Sequence, residues 1–374
     1  MKNKIRVNRL PVPLPLIYSF IFIFCSIHFL INSKPNVNTN RAYKTNIREK
    51  ILRLKKVMDI TDDKGNFYFQ YPQDLKTGSD GSIYVREFSQ MLRFDQNGKL
   101  LNNYYRKGQG PGELVSMRSY FIKEDYLIIY NGTPKKIVWF HKNGKQLKEF
   151  RLYQKFFSGK LILYDKGVYY FITKGIPIIN GNVWKVVDVN YNLVKISGSE
   201  NMSKIMTIPV KESIINYGSS RGSVPAAKFV YRISNDGRYL IYSNTEEYSI
   251  KIYDIKKNRL IREFRREYKR FKNITKKDSS TMILQGKNFK LPKRKYDNDV
   301  KDIFFQYDKI LVLTSTVKNN SVLIDRFDWD GNYLDFFYLK INGDILLIKN
   351  NFVYVREKNE EENPFIVKYI LDLG

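Results

Sequence analysis

A short module recurs six times along this chain, a tight turn, a strand, a second strand and another turn, and it limits the folds open to the sequence. In the first unit Asp80-Gly81 opens the strand Ser82-Ile83-Tyr84-Val85, Met91-Leu92-Arg93-Phe94 follows, and Asn97-Gly98 makes the closing turn. The second unit has residues 126–130, residues 136–140 and the turn Asn143-Gly144. The third has 166–171 and 184–188, the fourth 236–242 and 249–254, the fifth 308–313, 323–328 and Asp330-Gly331, and the sixth 350–355 and 365–369. Asp-Gly and Asn-Gly pairs are strong hairpin signals, because Gly and Asn enter positive φ at little cost. A stack of separate hairpins leaves faces and edges open. Closing a ring buries each sheet between two neighbours and confines the edges to short outer strands. The spacing therefore predicts an all-β chain whose residues 47–374 form a six-bladed β-propeller. A pair of large sandwiches is the alternative, and it gives no reason for the module to repeat. Residues 50–54 are expected to complete the last blade and lock the ring, with residues 50–56 pairing with C-terminal strands. Residues 197–225 and 272–297 are polar, carry breakers and read as insertions between blades.

Aromatic residues make up 15% of the chain, with 28 Tyr and 25 Phe, and such side chains pack well on pleated surfaces. A lone cysteine, Cys25, allows no internal disulfide and no Cys-based zinc site. Packing and strand pairing must hold this fold together. The formal charge is +28; residues 1–50 hold nine Lys or Arg and one Glu, which leaves +20 on the remainder. A field of that sign attracts phosphates, anionic lipids or acidic polymers, although a biased composition would produce it as well.

The N-terminus carries its own signal. Residues 1–11 hold Lys2, Lys4, Arg6 and Arg9, and residues 12–31 contain no charged side chain. A basic stretch before an apolar one is the pattern of a signal peptide or signal anchor, and the apolar run is long enough to span a bilayer. Ile23 and Phe24 before Cys25 argue against a lipidated cysteine, and no small-residue cleavage pattern follows. An uncleaved transmembrane anchor over 12–31 is the expectation, with residues 32–46 as a polar linker and the propeller exported. Cleavage would make the protein secreted.

Residues 107–114, Lys107-Gly108-Gln109-Gly110-Pro111-Gly112-Glu113-Leu114, follow a strand and precede the next unit. With the flanking Phe94-Asp95-Gln96-Asn97-Gly98-Lys99 and Phe140-His141-Lys142-Asn143-Gly144-Lys145, this segment resembles the Gly-x-Gly-Pro-Gly-Glu signature of a bacterial six-bladed β-propeller family related to the NHL-repeat propellers. The resemblance covers about residues 50–374. It implies the fold and an exported location far more than any chemistry. Gly108, Gly110, Pro111, Gly112 and Glu113 read as a structural loop between blades. The run lacks the Gly-Lys-Ser/Thr ending of a phosphate-binding P-loop.

Little in the sequence speaks for catalysis. His28 lies in the apolar run and His141 in a hairpin turn, too few for a His-based zinc site. Asp80, Asp236 and Asp330 are isolated at turns, where Asp bonds its own backbone, and no calcium loop is present. No metal and no cofactor is expected. A carboxylate pair at the channel mouth, serving a hydrolase or lyase, is the alternative that sequence leaves open. The densest basic stretch runs through residues 256–272, with Phe264, Tyr268 and Phe271 interleaved. Strand alternation keeps its charges from sharing one face before residue 265, so Arg265, Arg266, Lys269, Arg270 and Lys272 are the anion-binding candidates. The expected role is a monomeric, membrane-tethered binding or scaffolding module for a protein, glycan or other anionic polymer. Nucleic acid is disfavoured for an exported chain.

Overall fold

The computed structural model describes residues 36–40, 50–61, 65–152, 159–175, 177, 181, 183–198, 201–217, 219–225, 229–244, 247–272, 281–290 and 295–371. The chain divides into two compact units, 1–36 and 37–374. Residues 12–31, Cys25 and His28 lie outside the described residues. No helix among those described is long and apolar enough to cross a membrane.

Three N-terminal strands come first: β1 (Asn36–Asn40), β2 (Ile51–Arg53) and β3 (Lys55–Ile60). Six antiparallel blades follow, the fifth and sixth joined by one parallel bridge between Phe305 and Lys349. Blade one is β4 (Gln73–Thr77), β5 (Ile83–Arg86), β6 (Met91–Phe94) and β7 (Leu100–Asn103). Blade two is β8 (Met117–Lys123), β9 (Tyr126–Gly132), β10 (Lys135–His141) and β11 (Gln146–Arg151). Blade three is β12 (Gly159–Asp165), β13 (Val168–Lys174), β14 (Val183–Ser197), β15 (Asn201–Tyr217) and β16 (Ser220–Pro225). Blade four is β17 (Val230–Ile233), β18 (Tyr239–Ser243), β19 (Ser249–Asp254) and β20 (Arg259–Arg266), after which β21 (Thr281–Leu284) and β22 (Lys287–Lys290) make a separate hairpin. Blade five is β23 (Val300–Gln306), β24 (Lys309–Lys318), β25 (Ser321–Phe327) and β26 (Tyr333–Lys340). Blade six is β27 (Asp344–Lys349), β28 (Phe352–Lys358), β29 (Pro364–Ile370) and the returning β3.

Apolar clusters between neighbouring sheets hold the blades together. Ile128, Trp139 and Tyr130 of blade two pack with Leu161 and Phe171 of blade three. Ile250 and Phe264 of blade four pack with Ile303 and Phe327 of blade five. Phe94 of blade one packs with Tyr354 and Ile366 of blade six. Further clusters join blades one and two, three and four, and five and six, so each blade buries both faces, as ring closure requires.

The closing strand differs from the expectation. β3 pairs with β29, Ile60 opposite Ile366, and completes blade six. Residues 51–53 instead run parallel to β26 on the outer edge of blade five. β1 stands beside β20 on the edge of blade four, so part of the segment expected to be linker is strand. Residues 197–225 are not an insertion between blades. They are the return of a long hairpin within blade three, Val189 opposite Val210, with β16 added outside it. Residues 272–297 do separate blades four and five. Their hairpin leans on the blade-three extension through the Tyr217 and Phe289 rings, 5.5 Å apart, and a 3.0 Å hydrogen bond from Gln285 Nε2 to Ser219 Oγ.

Candidate functional site

The innermost strands carry a recurring irregularity. Asp74 is an extra residue between Gln73 and Leu75, which pair in register with β5. Arg118, Ile162, Lys301 and Leu346 hold the equivalent place in β8, β12, β23 and β27. A bulge of this kind re-aims the side chain at or next to it. Asp74 also adopts φ 52°, a left-handed conformation seldom taken outside Gly and Asn.

The result is a carboxylate set among cations from several blades. Lys76 Nζ is 4.0 Å from Asp74 Oδ1, and Arg86 Nε is 3.5 Å from Asp74 Oδ2. The charges of Lys160 and Arg232 also act on Asp74. From blade four Arg232 Nη2 donates to Asp302 Oδ2 of blade five at 2.9 Å, its guanidinium 5.3 Å from the Phe304 ring. The Tyr120 hydroxyl of blade two donates to the carbonyls of Asp74 and Tyr84 in blade one. Lys76 in turn donates to the Tyr120 carbonyl and stands 4.5 Å over its ring. Lys349 of blade six donates to the Thr77 carbonyl at 3.3 Å.

Burial by itself would raise the Asp74 pKa. Lys76, then Arg86, Lys160 and Arg232, outweigh it and hold the carboxyl below its ordinary value. Burial drives Lys76 down, with Asp74 opposing. Burial likewise pushes the Tyr120 hydroxyl well above its usual value. The cluster is open to water in part: the side chains of Asp74, Lys76 and Arg232 are each about a third exposed (31%, 33% and 36%). Arg86 is far more enclosed, and its Nε makes no hydrogen bond.

A concavity of about 240 Å³ lies where the β8–β9, β12–β13 and β17–β18 turns meet. Phe121, Leu163 and Ile233 give it apolar walls, and Lys123, Asp165 and Asp236 line it with charge. Lys256 Nζ lies 4.0 Å from Asp165.

The residues singled out from sequence fall elsewhere. Arg266 turns inward and pairs with the fully buried Asp325, so its charge is not at the surface. Arg265 pairs with Glu263 at 2.7 Å, and Arg270 with Asp299 at 2.9 Å while covering the Tyr296 ring. Lys269 and Lys272 are exposed, and Lys272 forms a β-bridge with Tyr296. In the glycine loop, Glu113 Oε2 accepts from Gly110 N at 2.8 Å. A Cβ on Gly108 would meet that carboxylate at 2.0 Å. The buried Lys136 donates to the Gly110 carbonyl at 2.7 Å and to Glu149 at 3.0 Å, and Glu149 accepts from Gly112 N. The loop is thereby bolted to blade two. His141 Nδ1 accepts from Asn143 N within its own turn.

The repeating module is defined by its apolar strands and does not mark these cations. The signal was present in short innermost strands such as Gln73–Thr77, where charged residues flank a single buried Leu75.

A family described as 6-bladed beta-propeller matches residues 31–289. Among solved structures, a protein from Bacteroides fragilis described as exported is 11% identical, with a TM-score of 0.52, over 90% of this chain and 100% of that one. A duf4221 family member from Bacteroides vulgatus is 10% identical, with a TM-score of 0.54, over 84% and 97% of the two chains. No curated protein matches the chain. At such identities the likeness speaks for the fold.

Proposed function

This chain belongs to the 6-bladed beta-propeller family, and we propose that it works as an exported, membrane-tethered binding or scaffolding module for an anionic ligand. Fold alone names no ligand. The reading rests on one observation: the charges of Lys76, Lys160 and Arg232 on innermost strands, and of Arg86 on β5, act on Asp74, and water reaches Asp74, Lys76 and Arg232. A cluster with an excess of one sign of charge attracts ligands of the other. The basic residues before the apolar run 12–31 support an anchor there, with residues 50–374 outside the cytoplasm. The ligand is an acidic protein segment, a glycan or another anionic polymer, and the module acts as a monomer.

The test uses the full chain in detergent on immobilised heparin. A variant carrying Lys76→Gln, Lys160→Gln and Arg232→Gln is expected to elute at clearly lower salt than the parent. Equal elution would overturn the channel as the site. A second reading, a hydrolase or lyase, rests on Asp165 and Asp236 lining one cleft. It would be favoured by turnover of acidic glycans that is lost in Asp165→Asn and Asp236→Asn.

A further inference from the structure

We propose that the channel cluster takes one compact, doubly charged oxyanion of the phosphate type, an inference that rests on the anion-binding reading above. Three observations converge on it. The first is charge. Of the groups tied into the cluster by direct contacts, Lys76, Arg86, Arg232 and Lys349 are cationic, while Asp74 and Asp302 are carboxylates, an excess of two positive charges. A dianion neutralises that excess in one step, where a single carboxylate leaves half of it.

The second is a donor without an acceptor. Arg86 Nε is buried and makes no hydrogen bond, although it lies in an ion pair 3.5 Å from Asp74 Oδ2. Buried donors in folded proteins are nearly always satisfied, so an orphan beside a cluster of like charge marks the place of an absent acceptor. An oxyanion carries several acceptor oxygens, and guanidinium groups bind them with paired, charge-assisted hydrogen bonds.

The third is the backbone at Asp74. A bulge and a left-handed φ are both spent on the residue whose carboxylate sits among these cations. Strain of this sort persists where the surrounding structure enforces it, often at ligand sites. Asp74 serves as an internal anion, limiting repulsion among Lys76, Arg86, Lys160 and Arg232. It also competes with a ligand for them. Neutralising Asp74 should therefore tighten anion binding, although it removes an ion-pair partner.

Calorimetry on the full chain in detergent tests this with four probes: inorganic phosphate, glycerol phosphate, acetate and heparin. Phosphate is expected to bind and acetate to bind far more weakly. Binding of glycerol phosphate as well would assign the site to a phosphate group carried on a larger ligand; binding of inorganic phosphate alone would assign it to the free ion. Arg86→Gln and Arg232→Gln should each weaken phosphate binding by roughly tenfold, the loss of a charge-assisted contact. Asp74→Asn should tighten it by roughly threefold or more through removal of a nearby like charge. That gain cannot arise from misfolding, so it holds the test open even if the arginine variants unfold. Absence of phosphate binding in both the parent and Asp74→Asn overturns the proposal. If heparin binding still depends on the channel lysines in that case, only the compact dianion falls and the broader reading stands. If heparin binding fails too, both fall.

Discussion

Gly331 and Gly167 share a backbone conformation, φ 76° and 84°, yet their surroundings differ. A Cβ on Gly331 would lie 2.8 Å from three atoms of Phe264, a core side chain with no exposed surface. A Cβ on Gly167 would meet nothing within 4 Å. The two positions separate conformational strain from close approach. Gly167→Ala should cost about 1 kcal/mol, the strain of a left-handed alanine. Gly331→Ala adds a clash that Phe264 cannot relieve, and should cost about 2–4 kcal/mol in all. Urea unfolding of the two variants measures the difference, and equal costs would show that the turn at 331 shifts freely. The same scale explains why Arg266 is no surface anion ligand. Its side chain is 1% exposed against Asp325, and separating such a pair leaves one charge buried alone. Sequence places Arg266 beside Arg265, but only the alternation of β20 in its blade decides which of the two faces water.

At the scale of elements, the strands with apolar alternation were legible, and the strands that complete the ring were less so. β5, β6, β9, β10, β18, β19, β24 and β25 coincide with runs visible in the sequence, because buried strands between two sheets must be apolar. β15 starts with the exposed residues Asn201, Met202, Ser203 and Lys204, so its start reads as an insertion although it pairs with β14. β2 and β3 are short and mixed in character, and no local pattern tells a chain which of two adjacent blades to join. Their roles follow from edges. β1, β2 and β3 cover the outer strands of blades four, five and six in turn, which removes exposed edge hydrogen-bonding groups. Of the three, only β3 closes the ring, and Ile60 carries it into the core. A chain lacking residues 1–49 should therefore melt cooperatively, close to the full chain. One lacking residues 1–60 should lose its cooperative transition, because blade six then presents β29 as a bare edge. Differential scanning calorimetry of both truncations checks this. A sharp transition in the shorter chain would show that β3 is dispensable.

For the molecule as a whole, buried tyrosines and paired carboxylates set opposite limits on pH. Burial pushes the hydroxyls of Tyr130, Tyr169 and Tyr354 up from 10.0 to about 12. They lie in blades two, three and six, so the effect is spread around the ring. Their folded pKa values exceed the unfolded one, and the neutral phenol is the form the fold stabilises. That contribution is complete below pH 10 and is lost as the pH rises through about 12. The carboxylates behave in the reverse sense. Asp74, Asp254 and Glu263 are held below their ordinary 3.8 or 4.5: burial opposes, but the cations and donors around each prevail, led by Lys76, the Lys257 amide and Arg265 respectively. Their contribution is present above those ordinary values and fades as the pH falls through the lowered ones. The propeller should thus hold a broad plateau of stability between about pH 5 and 9. On the alkaline side, the tyrosinate absorbance of the buried phenols should rise only together with loss of the strand signal in circular dichroism, above pH 10. If every tyrosine ionised near pH 10 with the strand signal intact, these hydroxyls would be reached by water in the folded ring, and burial would not be what limits its alkaline stability.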